Sequence, residues 1–274
     1  MPVEMKLSNK DYHARAELSA SQIKLLLENP YKFIHNIPVN QTQEMLLGSV
    51  IHKLILEPES FDEEYAVLPE CNLRTKEGRK LKADFEYDNS DKQVISHEMH
   101  HIAQQCTDAV LTSKARLLLK DGIAEASYFG ELDGVKCRCR PDYYVPDRQM
   151  IIDIKKCSDA SKSGFTRAMV NFQYFIQASF YSDLMASIGK PINEFIFVCI
   201  EPKSPFMIGL YTLTPMAMDY GRAQYKEALL VLKNLTKYNQ PLYKAPENDC
   251  FIQEIDLPGY LYAQKGLVKE VAYG

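Results

Sequence analysis

Two aspartates and a lysine fall close together in the stretch RCRPDYYVPDRQMIIDIKKCSDAS, residues 138–161: Asp142, then Asp153 and Lys155. On a β-strand residues i and i+2 share a face, so Asp153 and Lys155 point together while Ile152 and Ile154 point into the core. A hairpin turning through Pro146 and Asp147 brings Asp142 alongside Asp153. Two carboxylates at one point repel each other unless a cation lies between them. Mg2+ takes oxygen ligands octahedrally and keeps several waters, so two acids, a backbone carbonyl (that of Ile154) and waters suffice to hold it. The chemistry implied is metal-assisted attack on a phosphodiester, with an ammonium group at hand.

The Asp-x-Lys spacing alone carries little weight, because Glu4-Met5-Lys6 and Glu201-Pro202-Lys203 match it as an acid-x-lysine triplet. Context singles out this copy: an apolar strand, an upstream Pro-Asp and a helix after it. In that helix Gln173, Gln177 and Tyr181 lie at i, i+4 and i+8, a polar stripe among Phe, Ile and Met. A solvated helix face would carry Lys and Glu there. Glutamine and tyrosine suit a phosphate or a base edge better.

The elements that must position these groups read in order along the chain. ELSASQIKLLLENPYKFIHN predicts a helix capped by Ser19 or Ser21 and ended by Pro30. QEMLLGSVIHKLILEPESF predicts a second, with Gly48 and His52 one turn apart and Leu47, Val50, Ile51, Leu54 and Ile55 on a broad apolar face. The stretch at about 71–92 changes character: Arg74, Lys76, Arg79, Lys80 and Lys82 crowd together with few apolar residues, predicting a mobile basic segment that grips DNA. Helical periodicity resumes up to Gly122. From about residue 123 the period becomes two, predicting three antiparallel strands with turns at 132–134 and 146–148. One long helix closed by Gly189, two strands and a helix over roughly 215–237 complete an α/β fold.

The totals exclude several classes. At 274 residues, with 46% hydrophobic and 25% charged, the chain is long enough for one substantial core. Its longest apolar run, EFIFVCIE, is far short of a bilayer span, and the N-terminus lacks the apolar middle of a signal peptide, so a soluble cytoplasmic protein is expected. Seven scattered cysteines without a CxxC disfavour a disulfide framework and a zinc site. A net charge of −4 requires any positive surface for nucleic acid to be local.

Taken together, the pieces LSASQIKLLLENPYKF, LGSVIHKLILEP, RTKEGRK, AEASYF, CRPDYY, IIDIKKCSDAS, QASFY and FIFVCIEPKSPF, spread over residues 18–206, resemble the PD-(D/E)xK nucleases of the RecB-like branch. Within that branch they look most like the C-terminal nuclease domain of the exodeoxyribonuclease VIII (RecE) type of phages and prophages. The resemblance implies a single nuclease domain over 1–274, with a restriction-endonuclease-like α/β core: a mixed central β-sheet flanked by helices, and N-terminal helices at about 18–58 reaching the active site.

It also implies that Asp142 and Asp153 are metal ligands and that Lys155 orients or activates the attacking water. His52 falls on a helix histidine near the metal. Glu125 falls on an acid preceding the hairpin, with Glu131 and Asp133 as neighbouring alternatives. Gln177 and Tyr181 match a Q-x-x-x-Y element; Gln173, Arg74, Lys76, Arg79 and Lys80 are expected to meet DNA. The cofactor implied is Mg2+, with Mn2+ able to substitute. Iron–sulfur members carry a cysteine where this chain has Asn29, and only Cys250 lies late in the chain, so no cluster is expected.

The implied substrate is linear double-stranded DNA, degraded from the 5′ end to leave a 3′ strand for a RecT-like annealing protein, by a homo-oligomeric ring around the duplex. A Cas4-like or restriction-type endonuclease, and a non-catalytic DNA-binding relic of the fold, are the alternatives. The intact Asp142, Asp153 and Lys155 argue against the relic.

Overall fold

The computed structural model describes residues 4–37, 41–237, 255–257 and 262; Cys250 lies outside them. The chain passes from β1 (Glu4–Met5) through α1 (Asn9–His13), α2 (Ala20–Glu28), α3 (Pro30–Ile34), α4 (Gln43–Leu56) and α5 (Phe61–Glu64). Strand β2 (Tyr65–Leu68), helix α6 (Lys76–Asp88), strand β3 (Gln93–Ser96) and helix α7 (His97–Thr112) follow. Five strands come next: β4 (Ile123–Ala124), β5 (Ser127–Leu132), β6 (Val135–Cys139), β7 (Tyr143–Val145) and β8 (Met150–Lys156). Helices α8 (Lys162–Asn171) and α9 (Tyr174–Ser187), strands β9 (Glu194–Ile200) and β10 (Ile208–Thr212), and α10 (Pro215–Lys233) end the described core.

The central sheet has the order β10-β9-β8-β7-β4, parallel between β8 and β9 and antiparallel elsewhere, so it is mixed. A three-stranded sheet β1-β5-β6 and a parallel pair β2-β3 flank it. Apolar layers cover both faces of β8. On one side Ile151 packs with Ile23 and Leu26 of α2, Ile176 and Phe180 of α9 and Phe197 of β9. On the other, Ile152 and Ile154 pack with Val50 and Ile51 of α4 and Cys106 and Val110 of α7. Among the described residues no helix is long and apolar enough to cross a membrane.

Caps set the ends of the site-bearing helices. Ser19, not Ser21, caps α2 in a reciprocal capping box with Gln22. Asn29 closes α2 and caps α3, its Oδ1 accepting from Lys32 N at 3.2 Å. Thr42 caps α4, accepting from Met45 N at 3.2 Å.

Three expectations need correction. The period-two region forms two hairpins in different sheets, β5–β6 and β7–β8, because the chain leaves the ladder after Cys139, where Arg140-Pro141 intervenes and proline has no N–H to donate. The long helix after β8 is two helices, broken at Phe172 and at Gln173, whose φ is +51°. The basic segment, read as lacking regular structure, carries a helix, α6, capped by Thr75 and linking the parallel strands β2 and β3; of its residues only Gly78 is buried.

Candidate active site

Strand β8 is hydrogen-bonded on both sides, to β7 and β9, which fixes Asp153 and Lys155 on one face. The hairpin register pairs Tyr143 with Ile152, so Asp142 lies just outside the ladder, level with Asp153. Its Oδ2 accepts a hydrogen bond from Ile154 N at 2.6 Å, tying the two strands' acids into one frame.

His52 reaches the same point from the middle of α4, opposite β8. Its Nε2 lies 2.8 Å from the Ile154 carbonyl oxygen, and Nδ1 lies 3.5 Å from Asp142 Oδ2. A carbonyl can only accept, so Nε2 carries a proton and donates it, which turns Nδ1 toward Asp142. A histidine that donates one N–H to a backbone carbonyl and turns its other nitrogen to a cluster of acids is arranged as metal-ligating histidines are. The Ile154 carbonyl thus meets His52 with one of its two lone pairs, and the other stays on the side of the acid cluster's strand.

Glu125 sits in the two-residue gap between β4 and β5 with φ +51°, a left-handed conformation uncommon for a residue with a Cβ. Its N–H donates to the Asp142 carbonyl oxygen at 3.1 Å, which holds the turn. The ligand atoms of His52, Glu125 and Asp142 all lie within 4.8 Å of one another. Of the three acids near the hairpin, Glu125 is the one at this cluster. Glu131 pairs with Lys136 along β5–β6, and Asp133 lies in the turn beyond. A cavity of about 410 Å3 opens beside His52 and Glu125, walled by Arg140, Lys53 and Ser49 among others.

Asp153 is fully buried. Its Oδ1 accepts from Gln177 Nε2 at 2.6 Å, and its Oδ2 lies 2.5 Å from Lys155 Nζ, an ion pair without hydrogen-bond alignment. Lys155 stands over the Tyr174 ring, 5.0 Å from its centroid. A second cation, Lys24 of α2, lies 5.3 Å from the same ring and donates to the Phe172 carbonyl at 2.8 Å.

The electrostatics follow from this crowding. Burial, with the charge of Asp142 second, pushes the Glu125 carboxyl up to about 8. Burial likewise raises Asp153, to about 6, against the opposing pull of Lys155. Burial alone would lower the Lys155 amine, but the charges of Asp153 and Asp142 outweigh it and hold the group above its usual value. At Lys24 burial, with the neighbouring Lys155 second, outweighs the weaker pull of Asp153 and brings the amine down to about 8.

A divalent cation fits these residues. The donor set is one imidazole nitrogen with the oxygens of Glu125 and Asp142, and Asp153 adds a buried oxygen that lacks a hydrogen bond. Carboxyls raised first by burial and then by the charge of a neighbouring acid are what a cation would relieve.

The structure thus brings together His52, Glu125, Asp142, Asp153, Lys155 and Gln177. It separates Gln173 from the expected stripe, because the break in the helix places that residue before α9 rather than on its face. Tyr181 is 8% exposed and packs beside Phe180, with burial holding its hydroxyl well above the usual value and the charges of Asp153 and Asp142 adding to it. Arg74, Lys76, Arg79 and Lys80 lie exposed on α6 and the turn before it. Sequence reasoning missed Tyr174 and Lys24. A single lysine in LSASQIKLLLE reads as a solvated position, and nothing local marks it as facing another lysine.

A family model described as "PDDEXK-like domain of unknown function (DUF3799)" matches residues 19–250. A crystal structure from Eubacterium rectale, of a protein assigned as an exonuclease, superposes with a TM-score of 0.63 at 14% identity, covering 96% of this chain and 100% of that one. A phage-related exonuclease from Haemophilus somnus 129PT aligns at 12% identity over 84% of this chain and 99% of its own, with a TM-score of 0.38 that is too low to argue from. No curated protein sequence is significantly similar to the chain. With the mixed sheet, the Pro141-Asp142 and Asp153-x-Lys155 geometry and a family match over most of its length, the chain belongs to the PDDEXK-like family DUF3799 and has the PD-(D/E)xK nuclease fold.

Proposed function

We propose that the protein is a Mg2+-dependent exodeoxyribonuclease that degrades linear double-stranded DNA, 5′ to 3′, and exposes 3′ single strands for recombination by strand annealing. The observation that carries this reading is the meeting of His52, Glu125 and Asp142 beside the Asp153–Lys155 pair of β8. His52, Glu125, Asp142 and Asp153 would hold the ion, Mg2+ or Mn2+. The chemistry it supplies when bound is Lewis-acid polarisation of the phosphodiester and of an attacking water.

The side chains do the rest. Lys155, kept cationic by its carboxylate neighbours, is positioned by Asp153 and the Tyr174 face to take up negative charge as the phosphorus becomes five-coordinate. Gln177 holds Asp153 by one oxygen and so fixes which edge of the carboxylate faces the site. Arg74, Lys76, Arg79 and Lys80 would meet the DNA backbone. An acidic chain tolerates DNA best where basic elements of several copies converge on a shared channel, which favours a ring. The same reading sets the protein in the bacterial cytoplasm with a RecT-like annealing partner.

The test is digestion of linear against covalently closed circular duplex with Mg2+, each linear strand labelled at its 5′ or 3′ end. Loss of the 5′ label first, with circles spared, is expected; cutting of circles would make the protein an endonuclease, and an inert protein would be a relic of the fold.

A further inference from the structure

The corner between α8 and α9 presents an aromatic ring to solvent beside the catalytic strand. Phe172 is 59% exposed, as is Val170 at 62% two residues earlier. An isolated exposed phenylalanine means little in general, but this one is tied to the site on two sides. Its ring stacks on Tyr174, with centroids 5.5 Å apart and planes at 26°, and the Tyr174 ring is the one that both Lys155 and Lys24 face. Its carbonyl accepts from Lys24 Nζ. Gln173, in the left-handed region with no side-chain cap to α9, holds the corner at an unfavourable backbone angle. The result is an exposed apolar face, two lysines behind it, and Asp153 paired to the nearer one.

We propose that Phe172 is a stacking platform for one unpaired base of the DNA strand entering the active site, and that Lys24 receives the phosphate of the same nucleotide. The inference rests on the nuclease reading above. A base inside a duplex has both faces covered by its neighbours, so a ring at this corner can stack only on a base that has left its partner. Aromatic stacking is indifferent to base identity, as a nuclease without sequence preference requires. Lys24 lies among residues that offer it a carbonyl and a ring face, and a phosphate would supply the full counter-charge that neither gives. Aromatic face and cation together fit a nucleotide, which carries a flat base and an anion on one frame.

The test pairs a protein change with a DNA change. Steady-state cleavage is measured on duplexes with a short unpaired overhang on the strand to be cut, with normal or abasic nucleotides in the overhang, for the wild type, Phe172→Ala, Phe172→Trp and Lys24→Ala. Phe172→Ala is expected to raise KM about tenfold on the normal overhang, the scale of one base stack removed, with kcat little changed. The abasic overhang should raise the wild-type KM by a similar factor and add nothing to Phe172→Ala. Phe172→Trp should restore KM, and Lys24→Ala should raise it on both DNAs. Wild-type cleavage with KM unchanged in Phe172→Ala, or further loss for that variant on abasic DNA, would overturn the platform while leaving the nuclease reading standing. A wild type that cleaves none of these DNAs with Mg2+ would bring down both.

Discussion

Strand β8 and helix α6 both carry the charges that matter to the proposed reaction, and they hold them in opposite ways. On β8, Asp153 is wholly buried and meets Lys155 at 2.5 Å between two packed layers. On α6 the cations face solvent, and the ion pair along the helix, Lys82–Glu86 at 3.5 Å, is more than two-fifths exposed at both ends. Charges taken out of water interact strongly and cannot be moved without penalty. Exposed ones are screened and replaceable. The buried set can therefore fix a reacting geometry, and the exposed set can act on a partner only in sum.

The sharpest way to break this contrast is Asp153→Asn. The amide keeps the volume of the carboxylate and can still meet Gln177, but it removes a ligand oxygen and the partner of a buried ammonium. Cleavage is expected to fall by about 10²–10⁴-fold, the scale on which catalytic groups act. Activity within about tenfold of wild type would take Asp153 out of the site. Asparagine is the better probe than alanine because it keeps the side-chain volume and the Gln177 contact; either change leaves Lys155 without its counter-charge, at a cost of about 3–5 kcal/mol of stability that a melt on the same variant reads.

Lys155→Met comes next. It fills the same space beside Tyr174 without the charge, so DNA and metal should still bind while turnover falls by about 10²-fold or more. Ca2+, larger and looser in coordination than Mg2+, should likewise support binding without efficient cleavage by the wild type. Weakened DNA binding with unchanged turnover of the bound substrate would move Lys155 from the transition state to the ground state.

How much of this was legible depended on whether the chain announces its breaks. The β7–β8 hairpin carries Pro-Asp turn chemistry and an alternating strand, so Asp142, Asp153 and Lys155 could be placed together from residue types alone. His52 and Glu125 could not. One is a histidine on an apolar helix, the other an acid in a left-handed turn that lacks glycine, and only the resemblance pointed to them. The α8–α9 corner hides in VNFQYF, which has neither glycine nor proline, so helical spacing carries across it and puts Gln173 on a stripe it does not join. Helix α6 misled in the other direction. Its poverty of apolar residues reads as a loop, whereas the Thr75 cap and an i,i+4 Lys82–Glu86 pair support a helix without a buried face.

The acid cluster itself gives a pH test. The Glu125 carboxyl ordinarily ionises near 4.5 and in the folded chain near about 8. Between those values the unfolded chain binds fewer protons than the folded one, so stability falls as pH rises and levels off above the folded value. Asp153, shifted from 3.8 to about 6, adds to the lower part of the same window. Thermal melts of the metal-free protein should show this decline from about pH 4 to 8, Glu125→Gln should flatten its upper part, and Mg2+ should restore stability at the alkaline end by favouring the ionised acids. A metal-free melt that is level across the window would mean that Glu125 is solvated and ionised like an ordinary surface acid.

The smallest effect is expected on α6. Lys76, Arg79 and Lys80 occupy its first turns beside the single acid Glu77, and Asp84, Glu86 and Asp88 its last, on balance the reverse of what the helix dipole favours, at roughly 0.3–1 kcal/mol for each exposed charge near an end. Cations there do not serve the helix, and a phosphate brought to them would meet side-chain charge and dipole of the same sign. Replacing Arg74, Lys76 and Arg79 together by glutamine should leave the melting temperature unchanged or slightly raised. Duplex binding should weaken, and its salt dependence should flatten by about one unit of slope for each phosphate that is no longer neutralised. Cleavage of a short substrate at saturating concentration should survive, because the buried set on β8 is untouched. Equal salt slopes for wild type and the triple variant would make α6 a solvated face and no more, and would leave the positive surface that an acidic nuclease needs to be sought nearer Lys24.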